Sequence, residues 1–312
     1  MLEDYRNALR AGQRATRAAQ ARGQSPYLAV LDDILRGVNI VAQEPLGLVD
    51  IPAESIVGTK TAGRHTAFAP NFMPILEADS EFARKWSNLC DAHLEEGIRY
   101  PITAYEYLNK FYVEEGNKRV SVLKYYEAVK IPGTVTRLVP ERNETLENKI
   151  YYEFLDFYKL SKINYVHFSR LGGYAKLQTL VCKATGESWT DDDRLNFASL
   201  YTMFSQQFYA LGGSALGLTP GDALLVYLAV YRYSDAIEST PAQVRENLSK
   251  LWDEIKILTR PQAVELQLEP ATKQGAEPLL SKLNIFSPRP SELRVVLLHE
   301  HNAQTSAWVR GQ

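Results

Sequence analysis

The stretch that carries the most chemistry is Phe111–Tyr126, FYVEEGNKRVSVLKYY. Phe111 and Val113 alternate with Tyr112 and Glu114, the period of two expected of a half-buried strand. The strand ends at Glu114, a tight loop runs through Glu115, Gly116, Asn117 and Lys118, and a short helix begins near Arg119. Gly116 lets the backbone turn sharply and approach a ligand closely. The N–H groups that open a helix, its dipole, and Lys118 with Arg119 converge on one place. That is the physical recipe for an anion site, most naturally a phosphate. Glu114 and Glu115 beside it have the chemistry of a general base, and Glu115 also that of a Mg²⁺ ligand. A plainer reading makes Glu115 and Lys118 a solvated turn and Arg119 a local ion-pair partner. Spacing alone favours the plainer reading, because a strand, a glycine and a basic helix start often occur together.

Other groups are weaker. Cys90 and His93 lie three apart on a helical stretch, and His299 and His301 flank Glu300. Neither pair has a second pair at metal-ligand spacing, so core packing and strand-end exposure account for them without Zn²⁺. Cys182 reads as a small buried hydrophobe. Asp191–Asp193 lacks the spaced oxygens and glycine of a calcium loop, and helix-dipole stabilisation explains it better. Gly172-Gly173 reads as a turn. No Ser/His/Asp set stands out among five histidines in unrelated contexts.

The elements that must position these residues follow from the rest of the chain. At 312 residues it is long enough for two domains or three, at roughly 150 residues each. Lys plus Arg number 35 and Asp plus Glu 37, so bulk charge does not coat nucleic acid, although a local basic patch remains open. Two cysteines cannot build a disulfide framework, which suits a reducing compartment. No run approaches the ~18 apolar residues of a membrane span, and the polar N-terminus lacks the apolar core of a secretory signal. A cytoplasmic protein is the expectation.

Residues 1–45 are expected to form N-terminal helices, one over 2–22 and a second near Tyr27–Leu35 ending at Gly37. Five arginines in the first fit either a nucleic-acid arm or a solvated face, and the lack of interleaved aromatics favours the solvated face. Residues 46–140 read as an α+β block. Its strands are Gly47–Ile51, Pro101–Glu106, Phe111–Glu114 and Thr134–Val139, with a hairpin turn at Leu108-Asn109-Lys110 and a helix from Asp79 to Glu96. Residues 141–260 turn helical. Thr190, Thr219 and Thr240 are each followed three residues on by a side-chain acceptor, as in capping boxes. Tyr151, Phe154, Leu155 and Tyr158 form a core stripe. This region has no basic recognition helix, so a DNA-binding transcriptional regulator is a minor alternative. Residues 261–290 read as a linker, and Leu293–Leu298 as a buried-type strand with nothing to pair with.

Several boxes in order resemble the ParB/sulfiredoxin superfamily. Ile51-Pro52-Ala53-Glu54-Ser55-Ile56 with a loop reaching Arg64 is similar to its opening motif. His93–Ile102 resembles its helix–Gly–Pro–strand passage, Gly116-Asn117-Lys118-Arg119 its Gly-x-x-Arg box, and Ile131–Thr136 its closing strand. The resemblance covers about 46–140. It implies a nucleotide-binding domain for CTP or ATP with Mg²⁺, acting as a regulatory or phosphotransfer module. Gly116, Asn117, Lys118 and Arg119 would cradle phosphates, with Arg64, Thr59 and Lys60 in the loop opposite, and Glu114 or Glu115 as base or metal ligand. Asn117 stands where sulfiredoxin has its cysteine, which excludes that thiol chemistry. Lys118 replaces the first arginine and loses its planar fork.

The tail, Leu293–His299 with Thr305-Ser306-Ala307-Trp308, resembles the first strand and turn of basic-membrane-protein ligand-binding domains, which have a periplasmic-binding-protein fold and bind nucleosides. Residues 291–312 would then begin a truncated α/β domain. On that reading the front half is a non-enzymatic scaffold coupled to a nucleoside sensor.

Overall fold

The computed structural model describes residues 2–98 and 100–259. The expected linker at 261–290, the strand Leu293–Leu298 and the domain start at 291–312 lie outside the described residues. The chain divides into two compact units, Met1–His167 and Phe168 onward.

The first unit runs α1 (Leu2–Ala21), β1 (Ala29–Val30), α2 (Leu31–Ile34), β2 (Ile40–Pro52), β3 (Ile56–Thr59), a 3-10 turn at Ala62–Ala67, α3 (Glu81–Glu96), β4 (Ile102–Tyr107), β5 (Lys110–Glu115), α4 (Asn117–Tyr125), β6 (Lys130–Pro140) and α5 (Leu146–Ser161). Its six strands form one mixed sheet in the order β1-β3-β5-β4-β6-β2, so the unit is an α+β fold. β1, β3 and β5 are parallel, as are β4 and β6, while the β4–β5 hairpin and the β2–β6 pair are antiparallel.

The second expected helix, Tyr27–Leu35, is shorter than expected and is preceded by a two-residue strand. Ala29 and Val30 pair with Gly58 and Thr59, and only a single turn, α2, follows. Gly58 permits this, since a Cβ there would sit 2.3 Å from the Ala29 carbonyl oxygen. β2 begins at Ile40, ahead of the block boundary expected at residue 46, and the compact unit extends past 140 to take in α5.

Both faces of the sheet are covered. On one, Ile56, Ile102, Phe111, Val113 and Val135 pack with Val120 of α4, and Trp86 and Cys90 of α3 continue the layer towards Tyr5 and Ala8 of α1. Each of the Ile, Val and Phe side chains, fully buried, contributes about 1.5–3 kcal/mol. Trp86 Nε1 donates to Ser121 Oγ at 2.9 Å, which ties α3 to α4. On the other face Tyr112 packs with Leu31, Tyr107 and Leu138. β5 is therefore buried on both faces until Glu114, not half-buried as its alternation suggested.

The hairpin loop has two residues, Leu108 and Asn109, both in the left-handed region with φ 51° and 62°. This is the twist that a tight antiparallel connection requires. The Glu106 carboxylate accepts the Asn109 N–H at 2.8 Å and so holds the turn. Buried Arg137, paired opposite on β6, forms an ion pair with Glu106, and the Tyr151 hydroxyl donates to the same carboxylate at 3.1 Å. The Arg137 guanidinium also lies 4.4 Å from the Tyr158 ring centre. Burial pushes the Glu106 carboxyl up, while Arg137, the Asn109 amide and the Tyr151 hydroxyl oppose that rise.

In the second unit the described elements are all helical: α6 (Gly173–Leu180), α7 (Asp191–Ala210), α8 (Pro220–Val230), α9 (Tyr233–Ile237), α10 (Pro241–Lys250) and α11 (Trp252–Ile257). The three expected capping boxes are present at Thr190/Asp193, Thr219/Asp222 and Thr240/Gln243. α8 is buried from Gly221 to Leu228 and packs against α6 and α7. Its Asp222 is fully buried and accepts from the Ser169 and Thr219 amides, both at 3.1 Å. Thr219→Ala is expected to cost about 1–2 kcal/mol, more than the exposed Thr240→Ala. Equal melting temperatures for the two variants in calorimetry would show that burial of the Asp222 box adds nothing. Cys182 is exposed, with φ 63° just past the end of α6, and is not the buried hydrophobe expected. No helix among the described residues is long and apolar enough to cross a membrane.

Candidate functional site

β5 passes directly into α4 through Gly116, whose φ of 110° lies in the left-handed region. A Cβ at this position would fall 2.7 Å from Ile102 Cγ2 and 3.1 Å from Arg119 Nε. The helix starts two residues earlier than expected, so Asn117, Lys118 and Arg119 make up its first turn. No side chain caps that turn, and the first amide to close on the helix is that of Val120, which donates to the Gly116 carbonyl at 2.9 Å. The three preceding amides are the donors an anion would use.

The charge around this end is positive. The Lys118 ammonium lies 4.7 Å from the ring centre of Phe82 on α3. Burial, and then the neighbouring Arg64 and Lys85, hold its pKa below the ordinary lysine range, while Glu81 acts the other way. Arg64 is exposed on the 3-10 turn and has no acidic partner among the described residues. Lys85 is paired with Glu81 at 2.5 Å. Lys118 and Arg64, neither in an ion pair among the described residues, therefore add positive charge where the α4 dipole already favours an anion.

Behind them, Thr59 is buried and fixes the first helical residue. Its hydroxyl donates to the Val113 carbonyl at 3.0 Å and accepts from Asn117 Nδ2 at 3.3 Å. Asn117 Oδ1 is buried and has no hydrogen-bond partner.

The other expected site residues are placed differently. The Arg119 guanidinium donates to the Tyr100 and Pro101 carbonyls at 3.0 and 2.6 Å and to Glu115 Oε1 at 3.1 Å. It staples the chain entering β4 to the end of β5, with its side chain only 19% exposed. For Arg119 the plainer ion-pair reading describes the geometry, and its four-residue spacing from Glu115 was the signal. Glu114 and Glu115 are both exposed at the end of β5, where the pairing with β4 shifts register between Thr103 and Ala104, and Glu115 is held by the Arg119 guanidinium. Lys60 pairs with Asp32 of α2 and lies 5.3 Å from the Tyr105 ring centre, on the face away from α4.

The sequence reading missed Phe82 as the seat for Lys118, and Lys85 and Glu81 beside it. Their signal is weak, because Phe82 is one of several apolar residues on α3 and Glu81 and Lys85 have the four-residue spacing of an ordinary helix-surface pair. Lys124, also on α4, donates to the Ile56 carbonyl at 2.7 Å, and burial pushes its pKa down to about 8. It anchors the far end of the helix.

Among the described residues no group of three or more His, Cys, Asp or Glu side chains is placed to hold a metal ion. Glu115, the expected Mg²⁺ ligand, faces a guanidinium, so these residues do not by themselves build a metal site. Cys90 is buried in the layer under α3, where burial pushes its thiol up to about 12, and the His93 ring stands 5.1 Å from that of Tyr126. No family model matches the chain, and no curated protein matches it.

Proposed function

We propose that the first unit is a ParB/sulfiredoxin-like module that binds a nucleotide, CTP or ATP, by its phosphates at the N-terminus of α4. The observation that carries the reading is the uncapped first turn Asn117–Arg119, which carries Lys118 and has Arg64 as a neighbouring cation, neither of them in an ion pair among the described residues. The amides take phosphate oxygens, Lys118 and Arg64 supply charge, and Thr59 holds Asn117 in register. Mg²⁺ enters with the nucleotide, because Glu115 is already paired with Arg119. That pairing favours a binding or regulatory role over phosphotransfer.

The test is a thermal-shift screen with CTP, ATP, GTP and UTP, each with and without Mg²⁺. A ligand that binds only the folded state stabilises it by about 2.7 kcal/mol at a hundredfold excess over Kd. Lys118→Ala and Arg64→Ala are expected to abolish the shift while leaving the ligand-free melting temperature nearly unchanged. Arg119→Ala is a poorer probe, since it removes three internal bonds and lowers the melting temperature directly. Absence of a shift with all four nucleotides at millimolar concentration would overturn the reading.

A further inference from the structure

The 20 residues of α1 carry a second concentration of positive charge, independent of the α4 site. Arg6, Arg10, Arg14 and Arg17 are all exposed, and none has a carboxylate partner among the described residues. At about 100° per residue the four fall within an arc of about 80°. Tyr5, Ala8, Gly12 and Ala19 are buried on the opposite side of the helix. No acidic residue occurs between Tyr5 and Leu31, and Glu3 at the start of the helix is the one acid on the arginine side. From Arg6 to Arg17 the row is about 17 Å long, at 1.5 Å per residue.

We propose that this face docks on the phosphodiester backbone of a double-stranded nucleic acid. A straight, rigid row of this length spans about five base-pair steps of a duplex at about 3.4 Å each. All the basic residues of the helix are arginines, whose planar forks hold phosphate oxygens in pairs where a lysine offers a point charge. The side chains flanking the row, Asn7 and Gln13, are exposed amides suited to sugar and phosphate oxygens, and Asn7 Oδ1 accepts from Arg10 Nη2 at 2.6 Å. A lipid surface is a poorer fit, because the apolar side of α1 is turned into the protein and the exposed side carries no large apolar residue.

The experiment is fluorescence anisotropy of the full chain with a short labelled DNA duplex and an RNA duplex of the same sequence, across a salt series. Four contacts at a logarithmic slope of about 0.9 each predict that affinity falls about a hundredfold between about 50 and about 200 mM salt. Replacing all four arginines by glutamine is expected to abolish binding with the melting temperature unchanged. The milder pair Arg10→Gln with Arg14→Gln should lower the slope by about 1.8, which keeps the test sharp if the fourfold variant folds poorly. Lys118→Ala should leave duplex binding intact, which separates this surface from the nucleotide site. Binding to either duplex, or to both alike, supports the proposal, and the comparison identifies the source. Equal affinity of the fourfold variant and the parent would overturn it. So would capture by phosphatidylserine vesicles with no binding to either duplex.

Discussion

Replacing Arg137 by methionine is expected to lower stability at neutral pH by about 3–5 kcal/mol, the usual cost of leaving one member of a buried ion pair without its partner. Glu106 is 1% exposed and would keep only the Asn109 amide and the Tyr151 hydroxyl. The pH dependence gives the test its sign. Without the guanidinium, only the Asn109 amide and the Tyr151 hydroxyl oppose burial at the Glu106 carboxyl, and its folded pKa rises further above the unfolded value. Stability from such a group is fully present below the unfolded pKa and is lost as pH rises through the folded one. The gap in melting temperature between variant and parent should therefore narrow as pH falls from about 7 towards the ordinary glutamate range near about 4. Adding Glu106→Leu should recover most of the loss at pH 7, because the stranded charge is then gone. A deficit that stays constant with pH would mean that lost packing against Tyr158, not the stranded carboxylate, sets the cost.

Gly116→Ala is expected to damage fold and site together. A residue with a side chain in this backbone region costs about 1–3 kcal/mol, and its Cβ would also press on Ile102 and on the Arg119 guanidinium. Gly212→Ala is the matched control, with φ 90° and nothing within 4 Å of its Cβ position. It should cost only the backbone term, about 1–2 kcal/mol. Gly116→Ala should exceed that figure and should also lose the nucleotide-induced shift, since the first turn of α4 and the Arg119 staple move with it. Equal melting temperatures for the two variants would show that crowding at Ile102 is relieved without cost.

Much of this arrangement was legible because it is local. The strand–glycine–helix passage at Gly116 follows from residues that touch along the chain. So do the turn at Leu108-Asn109, where asparagine tolerates positive φ, and the capping boxes at Thr190, Thr219 and Thr240. Contacts between distant segments were not legible. Arg119 shows a charge and a neighbouring Glu115, but nothing in its surroundings announces the carbonyls of Tyr100 and Pro101. Tyr112 reads as the outward side of a strand until α2 and the hairpin cover it. Glu106 and Arg137 look like surface charges interrupting apolar strands, and only the β4–β6 register makes them partners. Val30 was assigned to a helix because its pairing partner, β3, lies almost thirty residues away.

Gly12 carries a consequence for how α1 meets any partner. A Cβ there would lie 2.3 Å from the Pro74 carbonyl oxygen, so the helix backbone rests directly on the segment Met73–Ile75. Below it, the Tyr5 ring meets Trp86 edge-on at 5.5 Å, and the Tyr5 hydroxyl donates to the Leu76 carbonyl at 2.7 Å. The arginine row is thus presented by an element that is already ordered, unlike a basic tail that must fold as it binds. Little backbone conformational entropy remains to be lost on association, and the ordering cost falls on the arginine side chains. Titration calorimetry of a polyanion against this face should show a heat-capacity change near zero, without the large negative value that accompanies coupled folding.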